Sequence, residues 1–165
     1  MDKLIYLGQA PELHLLIEAF FSGLKSLLDL SVQLLSTEGV VTVGVHGFHR
    51  DKSVYGGVVL NALERNVGKE KRETAAAITQ LIRNHKQQWI DAAIGARDLL
   101  VHPVRGQQQL MFELHLAERG AELAIRAVVP PHVGDVPIPQ YARQQATNIR
   151  DFSKAFMSEL RPSKP

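Results

Sequence analysis

Arg97 is followed directly by Asp98 and, five residues on, by His102, with Pro103 next. These three side chains have the chemistry to handle a phosphate ester. Arg97 is permanently charged and offers a planar fork of donors that matches phosphate oxygens. His102 falls where a helix must end, and the negative end of the helix dipole favours its imidazolium, as does Asp98 four residues earlier. Such a histidine can exchange protons near neutral pH. Together the groups suit RNA transesterification, in which the ribose 2′-hydroxyl loses a proton, the phosphorane needs charge stabilisation and the leaving 5′-oxygen gains a proton. That scheme requires no metal and no cofactor.

Helical geometry limits how the three residues can cooperate. Five steps along a regular helix turn through about 140°, so Arg97 and His102 cannot converge on one small group within a single chain. Asp98 and His102 are an i,i+4 pair and can touch. Asp91 and Gly95 extend the same line into a polar strip, and Gly95 leaves an opening before Asp98 where a ligand or another backbone could approach.

A second constellation is His46-Gly47-Phe48-His49-Arg50-Asp51. Two histidines three apart could bind zinc if helical, but the glycines and the lack of further ligands point to a polar loop. That loop can add phosphate contacts through His49, Arg50 and Lys52. Tyr55-Gly56-Gly57 lacks the lysine–serine/threonine continuation of a phosphate loop, and no nucleophile elbow, EF-hand or dinucleotide fingerprint occurs. His85 falls on an apolar stripe and reads as a satisfied core histidine.

Composition sets the frame for these groups. The 165 residues are enough for one well-buried core, so a single domain over residues 1–165 is expected. Hydrophobic content of 45% with 22% charged residues is ordinary for a soluble globular chain, and the absence of cysteine excludes disulfides and thiolate chemistry. With no apparent signal peptide and no run of about 18 apolar residues, a cytoplasmic protein without membrane association is expected. The net charge of +2 does not itself indicate nucleic acid. Seven basic against four acidic residues nevertheless give residues 69–105 a local +3, and five against seven give residues 1–68 a local −2.

The elements that must position the groups are mostly helical. Leu13, Leu16, Ile17, Phe20, Leu24, Leu27, Leu28, Leu34 and Leu35 recur at three- and four-residue steps and predict a helix from Pro11 to about Thr37. Val41, Val43 and Val45 alternate like a short strand before a loop. Ser53 is positioned to cap a shorter helix running to about Asn66. A third helix is predicted from Lys69 to Val101, ended by Pro103. After Trp89 its apolar surface widens through Ile90, Ile94 and Val101, which predicts burial on several sides and self-association through residues 89–101. Leu110–Val129 reads as a β-hairpin turning at Arg119-Gly120, with Leu116 facing Leu123, Leu114 facing Ile125, Phe112 facing Ala127 and Glu113 facing Arg126. A proline-rich connection leads to a last helix, about Pro139–Leu160, with Ala142, Ala146, Ile149, Phe152, Phe156 and Leu160 as its stripe. The expected fold is mainly α, an antiparallel helical bundle with a β-hairpin at about residues 110–129 before the last helix.

Arg97-Asp98-Leu99-Leu100-Val101-His102 resembles the R-x4-6-H signature of the HEPN superfamily, helical bundles that include many metal-independent ribonucleases. The resemblance implies an arginine–histidine motif near the end of a long later helix, a homodimer, and motifs from two protomers lining a shared cleft. By that resemblance Arg97, Asp98 and His102 are the catalytic positions and RNA is the substrate, with room for an antitoxin-type protein partner. Members without nuclease activity are common, so the alternative is a non-catalytic nucleotide- or protein-binding helical module. The Leu110–Val129 hairpin departs from a minimal bundle.

Overall fold

A computed structural model describes residues 3–9, 11–51, 54–101, 111–120 and 122–161. Their order is β1 (Lys3–Gln9), α1 (Pro11–Thr37), α2 (Gly57–Arg65), α3 (Arg72–His85), a π-helical turn (Lys86–Ile90), α4 (Asp91–Val101), β2 (Met111–Arg119), β3 (Glu122–Val129), the two-residue strands β4 (His132–Val133) and β5 (Val136–Pro137), and α5 (Ile138–Leu160). The fold is mainly helical, with an antiparallel hairpin before the last helix. No described helix is long and apolar enough to cross a membrane.

α1 has the predicted bounds but a different buried stripe. Ile17, Phe21, Leu24, Leu28, Val32 and Leu35 face the core, whereas Leu16 and Leu27 lie on the surface. The helix carries apolar residues around more than half its circumference, so periodicity alone does not choose between neighbouring rows. α5 shows the same effect in its first half. Tyr141 and Gln145 are buried where Ala142 and Ala146 were expected, and the stripe continues as predicted through Ile149, Phe152, Phe156 and Leu160.

The predicted third helix is interrupted. At the π turn the Asp91 N–H donates to Lys86 O, an i→i+5 bond. The extra residue rotates the following turns, and it brings adjacent Trp89 and Ile90 into the core together. Ile90 and Ile94 are 0% and 3% exposed within one chain, so these two residues leave no apolar surface for self-association; the side chain of Val101, the third of that row, lies outside the described residues. Their widening of the apolar face is accounted for by α1, which packs against α4, and by Ile149, Phe152, Phe156 and Leu160 of α5 in the same cluster.

The valine alternation at Val41–Val45 does not make a strand; Val41 alone forms a bridge, to Val67. Ser53 lies outside the described residues, and α2 starts at Gly57. The hairpin forms with a corrected register. Arg119 pairs with Glu122, and Leu116 faces Ile125. Gly120 has φ +68°, a left-handed conformation that favours glycine. A bulge between His115 and Leu116 then leaves Arg126 without a partner, so Leu114 faces Val128 and Glu113 faces Val129 rather than Arg126. β1 was not anticipated. It pairs antiparallel with β2 from Lys3↔Ala117 to Gln9↔Met111, making β2 the centre of a three-stranded sheet.

Candidate functional site

The segment between α1 and α2 is irregular, and α1 holds it in place. Ser36 Oγ donates to Val43 O at 2.9 Å and accepts the Val45 N–H at 3.0 Å, and Gln33 Nε2 donates to His46 O at 2.7 Å. Asp29 Oδ1 accepts the Phe48 N–H at 2.6 Å while paired with Lys25. These bonds satisfy backbone groups that have no sheet or helix partner. The Phe48 ring is then buried in the main core, one of its walls being the backbone of Gly56. Asp51 and Val54 exchange backbone hydrogen bonds at 3.1 and 3.0 Å, and the Asp51 carboxylate accepts from Asn61. Arg50 is therefore fixed between a buried aromatic anchor and a tight turn.

That placement brings Arg50 to α4. Asp98 Oδ2 accepts from Tyr55 Oη at 3.1 Å and lies 3.3 Å from Arg50 Nη2; Asp98 Oδ1 accepts from Arg97 Nη1 at 3.0 Å. Arg50 Nη2 also donates to Tyr55 Oη, and its guanidinium lies 3.9 Å from the centroid of the Tyr55 ring. One carboxylate thus sits between two guanidiniums contributed by distant parts of the chain. Arg50 is half exposed, and Arg97 and Asp98 are partly so, which leaves the assembly open to solvent on one side. Arg97 Nε is buried and meets no acceptor among the described residues.

A second tie reinforces the same junction. Lys86, the first residue of the π turn, donates to Tyr55 O and to Asp91 Oδ1, both at 2.6 Å. Its side chain is largely buried, so the bond to Tyr55 draws the loop onto the helix. Between the Lys86–Asp91 pair and the Asp98 assembly lies Gly95, where an added Cβ would meet nothing within 4 Å. The strip of Asp91, Gly95 and Asp98 expected from the sequence is therefore present, with open space at its centre.

Arg97, Asp98 and Arg50 come together. His49 is exposed and makes no side-chain hydrogen bond among the described residues, and Lys52 and His102 lie outside them. Tyr55 and Lys86 were not singled out from the sequence. Each reaches the site through a contact across 31 to 43 positions of chain, a distance that local spacing does not encode. His85, on the neighbouring turn, is half-buried at the edge of the core rather than within it, packed against Trp89 and Phe152. Its Nδ1 accepts the Trp89 Nε1–H at 2.8 Å, and burial holds its pKa below the ordinary 6.5, with Asp151 opposing.

No protein-family profile, curated protein or solved structure matches this chain. The functional reading therefore rests on the geometry of the assembly and on the Arg97–His102 motif.

Proposed function

We propose that the chain is a HEPN-like, metal-independent endoribonuclease whose site is centred on Arg97, Asp98 and His102 and completed by Arg50. One observation carries the reading: two guanidiniums from separate segments converge on the Asp98 carboxylate, beside open space at Gly95, with His102 four residues on in the sequence. A phosphodiester entering that space meets Arg50 and Arg97, whose donors stabilise the additional negative charge of a phosphorane. His102 takes the proton of the ribose 2′-hydroxyl, and the leaving 5′-oxygen gains one from the imidazolium so formed or from water. The 2′-oxygen forms a new bond to phosphorus as the bond to the 5′-oxygen breaks, giving a 2′,3′-cyclic phosphate and a 5′-hydroxyl. Asp98 sets the spacing of the two arginines. A carboxylate has about four lone-pair sites, so it retains capacity to orient His102 as well. The wide angle that regular helical spacing sets between positions 97 and 102 fits a composite site shared by two protomers of a cytoplasmic homodimer.

The engagement of both guanidiniums by the Asp98 carboxylate also favours a second reading, a non-catalytic module that binds nucleotides or an antitoxin-type protein on the same surface. Cleavage separates the two. Purified wild-type protein is incubated with a mixed RNA pool in EDTA beside the His102→Ala variant, and the product ends are mapped. The nuclease reading expects 2′,3′-cyclic phosphate ends from the wild type alone. Equal cleavage by both proteins contradicts it, and no cleavage of any RNA by the wild type leaves the binding module.

A further inference from the structure

The outer face of α1 is unlike a solvated helix surface. From Leu15 to Thr37 its exposed positions include no Asp, Glu, Lys, Arg or His. Leu15, Leu16, Leu27 and Leu30 are 65%, 68%, 47% and 58% exposed. Surface helices ordinarily turn charged and polar residues outward. The helix does carry charges, but Glu18, Lys25 and Asp29 sit on its half-buried flanks, and the last two pair with each other. Gly23 lies at the middle of the bare face. Glycine inside a helix costs about 1 kcal/mol relative to alanine, yet an added Cβ there would meet nothing within 4 Å. Packing among the described residues gives no reason for it.

We infer that this face pairs with the same face of a second copy of the chain, antiparallel, about a twofold axis passing beside Gly23. The sequence is self-complementary about that point. Leu16 and Leu30 lie seven residues to either side, so Leu16 of one copy meets Leu30 of the other. Ala19 and Leu27 lie four to either side, so a small residue receives a large one at both symmetry-related contacts. Gly23 meets itself where the helix backbones come closest, the place where a missing side chain is useful. An isologous interface requires this kind of self-matching, and an uncharged face supplies it with no like charge opposed to itself. The face is about 33 Å long and about 10 Å wide, roughly 300 Å² per copy. That is the size of a functional apolar patch on a monomer and less than half of the roughly 800 Å² per partner in a standard-size interface. The pairing is accordingly reversible, in the micromolar range. It is carried by α1 alone, on the side of the helix turned away from α4, so it is a contact separate from the shared cleft proposed at Arg97 and stands whether or not the chain cleaves RNA.

Sedimentation velocity from low to high micromolar concentration tests the association, and cysteine substitution tests its geometry, the chain having no cysteine of its own. The wild type is expected to shift from monomer to dimer, and Leu27→Glu to weaken the shift by about tenfold or more with unchanged circular dichroism, because it places an unpaired charge in the contact. Under mild oxidation Gly23→Cys is expected to form a disulfide-linked dimer. Leu16→Cys is expected not to, since its counterpart lies about 21 Å further along the paired helices. A wild-type monomer at high micromolar concentration overturns the proposal, as does undiminished association of Leu27→Glu. Cross-linking of Leu16→Cys, with or without Gly23→Cys, overturns the antiparallel arrangement.

Discussion

Gly56→Ala is expected to destabilise the chain by about 2–5 kcal/mol, through two separable contributions. Gly56 has φ +66°, and a residue with a Cβ in that left-handed conformation costs about 1–2 kcal/mol. The added methyl would also fall within the van der Waals envelope of the Phe48 ring. Phe48 is 1% exposed and enclosed by core residues, so the ring has little room to yield, and overpacking of this kind costs about 1–3 kcal/mol. Two other glycines isolate the terms. Gly120 has nearly the same backbone angle, φ +68°, with nothing near its Cβ, so Gly120→Ala should lose only the conformational part, about 1–2 kcal/mol. Gly23→Ala should stabilise the monomer by up to about 1 kcal/mol through helix propensity. Urea unfolding at low protein concentration, followed by the fluorescence of Trp89, the single tryptophan, gives all three values. Displacement of Phe48 would also move Arg50, two residues on, so Gly56→Ala should weaken any function of the Asp98 assembly. A loss below about 1 kcal/mol, or one equal to that of Gly120→Ala, would refute the claim that Gly56 forms a wall of the Phe48 pocket.

Two further expectations concern titration and charge. His85 has a pKa below 6.5 in the folded chain because of burial, partly opposed by Asp151. The unfolded state therefore binds more protons between the folded pKa and 6.5; the stabilising contribution is complete above 6.5 and is lost as pH falls through the folded value. Trp89 fluorescence should titrate with a midpoint below 6.5, and His85→Gln should abolish that transition; a midpoint above 6.5 would contradict the assignment. At the proposed phosphate site, Arg97→Ala should abolish RNA cleavage and Arg97→Lys restore only part of it, because lysine keeps the charge but loses the planar fork. Full activity of Arg97→Lys would show that charge alone suffices.

The parts of the fold legible in the sequence were those set by local patterning. Pro11–Thr37 could be bounded because a proline opens its first turn and apolar residues recur at helical spacing to its end. The hairpin was legible as alternating apolar segments around Gly120, but its register was not, since Arg119 pairs with Glu122 and a bulge at Arg126 shifts the remaining pairs. β1 was missed because its partner, β2, lies more than a hundred residues away. The π turn leaves no mark in the pattern beyond the widening at Ile90 and Ile94, which equally describes an interface. At the site, Arg97 and Asp98 were visible as neighbours and Arg50 as part of a basic loop. That Arg50 and Tyr55 reach that helix, and meet Lys86 there, depends on hydrogen bonds by which Asp29, Gln33 and Ser36 hold the intervening loop, a tertiary arrangement with no local signature.

The inclusion of Arg50 in the site is tested most directly by the rate at which Arg50→Ala cleaves the mixed RNA pool in EDTA, compared with wild type and Arg97→Ala. Arg50 is half exposed and its pairing with Asp98 is spaced at 3.3 Å, so its removal should cost little stability, under about 1 kcal/mol. A site built on two guanidiniums predicts that Arg50→Ala loses cleavage by about a hundredfold or more while remaining folded, close to the loss in Arg97→Ala. Cleavage by Arg50→Ala at the wild-type rate, with Arg97→Ala inactive, would show that the loop arginine only braces Asp98 and contradict the two-guanidinium site.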